Sequence, residues 1–216
     1  MSDQKNTDKP RRGYRHGDLQ RALVDAGMEL ARAGGPDAVV LREVTRRVGV
    51  VPNAAYRHFA DRQALLDAVC ASAHSQLARS IEAEIEAIPR GLKAADYAKA
   101  ALRAVGAGYL HFAQREPGLF RTAFSVPGNL QTAASPAKAG NSGLTPFQLL
   151  SGALDKLAEA GVLPGEKRLG AEFLAWSAVH GLAMLVIDGP LRFLDAAQKE
   201  AVSRRLLYMV EAGLQS

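Results

Sequence analysis

Cysteine is almost missing from this chain, with Cys70 alone among 216 residues. One cysteine makes no internal disulfide, so the fold is expected to need no oxidising compartment. Flanked by Val69 and Ala71, it suits a buried, inert thiol better than a redox sensor or nucleophile. Long apolar runs are lacking too: the longest, FLAWSAVHGLAMLVI, contains His180, is too short to span a bilayer and reads as a buried helix. The opening MSDQKNTDKPRR has no apolar core of the kind a signal peptide needs. Membrane association is therefore not expected, and the cytoplasm is the expected location. His74, His111 and His180 are scattered, with no His-x-x-x-His and no cysteine pair, so neither a metal nor another cofactor is expected. No alternating run argues for a strand, and no segment repeats.

What is present is ordinary globular composition, 48% hydrophobic and 23% charged, enough for a sizeable core. The net charge of +5 is uneven. Residues 1–62 hold 12 Lys and Arg against 8 Asp and Glu. A positive field confined to the N-terminal quarter suits a polyanion, although a solvated basic surface gives the same count.

Helical periodicity dominates. In DLQRALVDAGMELARAGG, Leu19, Ala22, Leu23, Ala26 and Leu30 share one face, with Asp18 as N-cap and Gly34-Gly35-Pro36 as the stop. A second, short helix covers 42–48 with Val40, Val44 and Val48 on one side, ended by Gly49. Pro52 opens a third at its first position. Ala55 and Phe59 then point inward and Pro52, Asn53, Tyr56 and Arg57 outward. Two short helices around a tight glycine turn form a helix-turn-helix. A long helix follows over 61–88, then helices over about 91–114, 116–125, 146–160, 166–187 and 195–214. The segment 127–145, rich in Pro, Gly, Ser and Ala, reads as a mobile loop. The fold class is all-α. Its expected parts are a disordered basic arm (1–13), a helix-turn-helix domain (14–62) and a C-terminal regulatory and dimerisation domain (63–216).

Residues 14–70, from YRHGDLQ through the Gly-Val turn and the Tyr-x-His-Phe of AAYRHF to DRQALLDAVC, resemble the DNA-binding domain of the TetR family of bacterial transcriptional regulators. WSAVHG at 176–181 resembles the Trp-x-x-x-His-Gly element of one subgroup. The resemblance implies a non-enzymatic, ligand-responsive repressor, a homodimer on a near-palindromic operator in double-stranded DNA, released by a small-molecule effector. It places Arg42, Thr45, Pro52, Asn53, Ala54, Tyr56, Arg57, His58 and Arg62 at the DNA. Pro52, Asn53 and Tyr56 match positions that face bases, and Arg57, His58 and Arg62 suit phosphates. Arg42 is either a base or phosphate contact or a solvated arginine. Lys9, Arg11, Arg12, Arg15 and His16 are either a minor-groove arm or a solvated tail. Three positions depart from the family pattern. Val51 stands where a Ser or Thr cap is usual, a loss of about 1 kcal/mol. Thr45 replaces an alanine, its hydroxyl expected on the Leu41 carbonyl, and Ala55 replaces a larger apolar residue.

In the C-terminal part, Tyr109, Phe112, Phe120, Phe124, Phe147, Trp176 and His180 are either core or the wall of an effector pocket. Val179, Leu182 and Val186, with Leu206, Met209 and Val210, recur at helical spacing and are expected to form the dimer interface as a four-helix bundle. Effector binding is expected to displace the 61–88 helix and so change the spacing of two DNA-binding domains. The competing classes are an all-α small-molecule-binding protein or enzyme without a DNA role, using His111 or His180 with Glu116 or Glu172, and an interaction adaptor. No catalytic residue is assigned.

Overall fold

A computed structural model describes residues 16–126 and 130–215, and among them there are helices and turns but no strands. The first helix, α1 (His16–Gly34), buries Leu23, Ala26, Leu30 and Ala31 and exposes Arg21, Asp25, Glu29 and Arg32, as its period requires. Asp18 does not cap it. The helix starts two residues earlier, and Asp18 sits in the first turn, where a carboxylate still favours the helix dipole.

After a 3₁₀ turn at Pro36–Ala38 comes α2 (Leu41–Val48). Gly49 ends it with φ 78° and ψ 31°. Its N–H donates to the Arg46 carbonyl at 3.3 Å while Val50 N–H donates to the Thr45 carbonyl at 3.0 Å, the paired closure of a Schellman end. Only glycine takes that left-handed backbone without strain. Then α3 (Pro52–Ala55) makes a single turn, continued by hydrogen-bonded turn residues to Phe59. Ala55 and Phe59 are buried, as expected.

The long helix α4 (Arg62–Glu86) is capped by Asp61, whose carboxylate accepts from Ala64 N–H at 2.8 Å. It packs on α1, on α5 (Ala94–Arg115) and on α6 (Pro117–Ala123). Contact with α5 is close because of Gly108: a Cβ there would lie 2.5 Å from Ile81 Cα and 2.7 Å from the Ser80 carbonyl oxygen. Ser80 uses that proximity, its hydroxyl donating to the Gly108 carbonyl at 2.9 Å. One continuous core runs from Leu23 to Leu214. Packing does not stop at the expected 62/63 boundary, since Leu65, Leu66 and Val69 of α4 join the core that α1 buries.

Beyond α6 lie α7 (Leu130–Ala133), a 3₁₀ turn at Pro136–Lys138, α8 (Pro146–Glu159), α9 (Gly165–Arg168), α10 (Ala171–Ile187) and α11 (Ala196–Gln215). The helix expected over 166–187 is therefore two, because Gly170 turns left-handed (φ 81°) between α9 and α10. The segment expected as a loop is fastened over part of its length. Glu82 accepts from the amides of Asn141 and Ser142, both at 2.9 Å, and from the Ser142 hydroxyl. Ser75 hydroxyl donates to the Ala139 carbonyl at 2.6 Å. Both anchors stand on α4. Burial pushes the Glu82 carboxyl up, but the donors from Ser142 and Asn141 outweigh it and the net shift is downward, so the carboxylate stays ionised and fully bonded.

Candidate nucleic-acid interface and internal cavity

The helix-turn-helix presents its polar row outward. Pro52, Asn53, Tyr56 and Arg57 are exposed, Tyr56 to 54%, while Val44, Thr45, Ala55 and Phe59 are buried beneath them and α2 packs on α1. Ala54 and His58 are half-buried. Thr45 departs from expectation: it is buried, and its hydroxyl donates at 3.0 Å to the Arg42 carbonyl, not that of Leu41. The hydroxyl of a helical threonine reaches the i−3 carbonyl as readily as the i−4 one, and burial of the residue keeps it from any nucleic acid.

The arginines divide by their partners. Arg46 forks onto Glu43 at 2.6 and 2.9 Å, and Arg47 bridges Glu29 at 3.2 Å. The Arg46 hydrogen bonds hold the Glu43 carboxyl below its usual range. Arg62 is also committed, its Nε and Nη2 donating at 2.8 Å to the carbonyls of Val39 and Pro36. Its expected place at a phosphate is therefore corrected: it clasps the turn before α2 through the Val39 carbonyl and through the Pro36 carbonyl, which also accepts from Val39 N–H at 3.2 Å. Arg42 and Arg57, exposed and in no ion pair among the described residues, keep free guanidinium forks. The arm residues Lys9 to Arg15, and the side chain of His16, lie outside what is described.

A cavity of about 1110 Å³ opens between α4, α5, α8, α10 and α11. Of the expected pocket residues, Tyr109, Phe124, Phe147 and Trp176 line it. Phe112 and Phe120 do not: they are core, 4% and 0% exposed, with the Phe120 ring edge-on to Tyr109 at 5.4 Å. His180 stands behind the wall and bonds Tyr109 Oη through Nδ1 at 2.7 Å. Trp176 Nε1 donates to the same oxygen at 3.2 Å. Burial pulls His180 down and pushes Tyr109 up, so both are neutral and the tyrosine donates to the imidazole. The α4 side contributes Asp67, Cys70 and His74, and the 3₁₀ turn contributes Lys138; sequence reasoning missed all four. Cys70 and His74 share a helix face one turn apart, which the period could have shown. Lys138 sits in a stretch with no period to read.

The expected dimer residues also move. Val179, Leu182 and Val186 are buried within the protomer, and Val179 and Val210 line the cavity. Leu206 is half-buried and Met209 is exposed. Because α10 is apolar on nearly every side, its period does not tell the inward face from the outward one. The outward face carries Phe173, Leu174, Met184 and Leu185, adjoined on α11 by Val202 and Met209.

An outward polar row on a helix-turn-helix, carried by an all-α body, is the arrangement of a DNA-binding transcriptional regulator. Two family models match: bacterial regulatory proteins of the tetR family over residues 23–69, and the tetracyclin repressor-like C-terminal domain over residues 102–210. The chain belongs to the TetR family. No protein of curated function matches the sequence. Among solved structures, one of a protein of unknown function from Rhodococcus sp. RHA1 is 25% identical with a TM-score of 0.72, covering 95% of this chain and 100% of that one. A TetR-family transcriptional regulator from Pectobacterium atrosepticum is 16% identical with a TM-score of 0.65, over 93% and 95% of the two chains. A TetR variant from Acinetobacter baumannii AYE, in complex with minocycline, is 17% identical with a TM-score of 0.56, over 90% and 96%. The last two show a shared fold. No helix among the described residues is long and apolar enough to cross a membrane.

Proposed function

We propose that the protein is an effector-responsive repressor acting as a homodimer on a near-palindromic operator. The observation that carries this reading is the double duty of α4. Its residues Asp67, Cys70, His74 and Ile81 line the cavity, and its N-terminal half packs on α1 of the helix-turn-helix. A ligand that wedges the cavity shifts α4, and α4 moves the recognition turn. Coupling of about 1–3 kcal/mol is ordinary for such linked sites. The tetracyclin repressor-like match of the C-terminal half supports repression, and the minocycline complex of the Acinetobacter relative supports a small molecule as the trigger.

At the DNA, Asn53 and Tyr56 read base edges beside Pro52, and Arg42 and Arg57 grip phosphates. The apolar strip Phe173, Leu174, Met184 and Leu185 with Val202 and Met209 supports pairing of two protomers, since an uncovered strip of this kind marks an interface. A two-fold dimer then places two recognition turns one groove repeat apart.

Fluorescence anisotropy with labelled fragments from the intergenic DNA upstream of the gene tests this. Specific binding should weaken steeply with salt, and Asn53→Ala and Tyr56→Ala should each cost roughly 1–3 kcal/mol on the specific fragment only. Wild-type affinity of both variants for that fragment would remove the recognition assignment. A reporter behind the same fragment should be silenced by the protein; activation instead would refute repression.

A further inference from the structure

The cavity wall contains few polar groups, and their bonding shows which are left for a ligand. Tyr109 donates a hydrogen bond to His180 Nδ1 and accepts the indole N–H of Trp176. Cys70 Sγ donates to the Thr122 carbonyl at 2.9 Å. His74 Nδ1 faces the Cys70 carbonyl at 2.9 Å, an atom that only accepts, so Nδ1 holds the proton and Nε2 the lone pair. Burial pulls His74 down to about 4, which keeps the ring neutral. The aromatic side of the cavity is thus uncharged.

Two charged side chains remain. Asp67 is exposed on the rim and already accepts from Gln63 Nε2 at 2.8 Å. Lys138 is half-buried and makes no ion pair among the described residues. Its charge reaches both Cys70 and His74. The backbone beside it is pinned: Ala139 is held by Ser75, and Asn141 and Ser142 are held by Glu82. An ammonium held at the edge of an apolar cavity, in no ion pair, is placed to receive an anion.

We propose that the effector is an amphipathic organic carboxylate, its oxyanion on Lys138 and its apolar body along Phe124, Phe147 and Trp176. This rests on the effector reading above and adds the chemistry of the ligand. The cavity volume suits a long chain or a fused-ring body. Asp67 and the aromatic faces would instead favour a cation, so the probes must separate the two signs.

Trp176 is the chain's single tryptophan and lines the cavity, so its emission reports occupancy in the full-length protein. Dodecanoate, dodecanol and dodecylammonium offer one chain with three head groups. Dodecanoate is expected to bind roughly tenfold more tightly than dodecanol, as a partly desolvated ion pair implies. Lys138→Gln should erase that preference and leave dodecanol affinity unchanged, with the melting temperature preserved, because Lys138 supports no other residue. Equal binding of acid and alcohol, tighter binding of the ammonium, or a preference that survives Lys138→Gln would each overturn the proposal. If no probe alters Trp176 emission, the proposal also falls. The effector reading is judged separately: DNA release by dodecylammonium but not by dodecanoate would uphold it while refuting the carboxylate.

Discussion

Arg57 and Arg62 lie on the same short stretch and look interchangeable in sequence, yet only one is free. Arg62 reaches back 23 and 26 residues to two carbonyls, and no local period encodes such a bond. Arg62→Ala should therefore lower unfolding stability by about 1–2 kcal/mol, the loss expected for charge-assisted bonds at a partly exposed site, as read from a urea midpoint. Arg57→Ala should leave that midpoint in place, weaken DNA binding on every sequence alike and reduce the salt slope by about one. His74 belongs to the same scale. Its pKa is about 4 when folded against 6.5 unfolded, so only the unfolded chain takes up a proton between those values. Its neutral burial stabilises fully above pH 6.5, and that contribution is lost as pH falls through 6.5 toward 4. Roughly 3 kcal/mol should disappear over that window. Denaturant unfolding of His74→Leu across pH should be flatter than wild type by that amount, with the Glu82 share of the acid slope retained.

Among the elements, those with one apolar face and a definite stop were legible. The α1 stripe, the Gly49 closure and the buried pair Ala55 and Phe59 stand where the residue spacing puts them. Where a helix is apolar all round, spacing carries no direction, which is why Val179, Leu182 and Val186 turned out to face the core. Gly170 splits α9 from α10 through a left-handed backbone, and nothing in the apolar pattern around it marks the break. The crossing of α4 on α5 at Gly108 was equally silent, because small residues leave no hydrophobic signature. Gly108→Ala should cost about 1–3 kcal/mol, since its methyl meets rigid backbone at Ile81 and Ser80. Chemical denaturation will measure it, and a neutral result would mean that α4 and α5 slide apart readily.

At the scale of the whole molecule, the proposed dimer assigns assembly to the strip on α10 and α11. Leu174→Glu with Met209→Glu, both at exposed positions, should give monomers in sedimentation velocity with helical content retained. Operator affinity should fall with them, because each half-site is then bound alone. A variant that stays dimeric and keeps full affinity would move the interface elsewhere. Val179→Ala makes the contrast: buried at 8% exposure, it should cost about 1–2 kcal/mol of stability and leave the association state unchanged.

The anchoring of Ala139, Asn141 and Ser142 to Ser75 and Glu82 has one more consequence. These bonds use backbone groups at three of their four loop attachments, so they do not depend on which side chains precede them. Thr132, Ser135 and Lys138, the cavity-facing positions just upstream, form an exchangeable cassette. Ligand preference can drift there while the docking of the segment on its supporting helix, and with it the reading of DNA, is inherited intact.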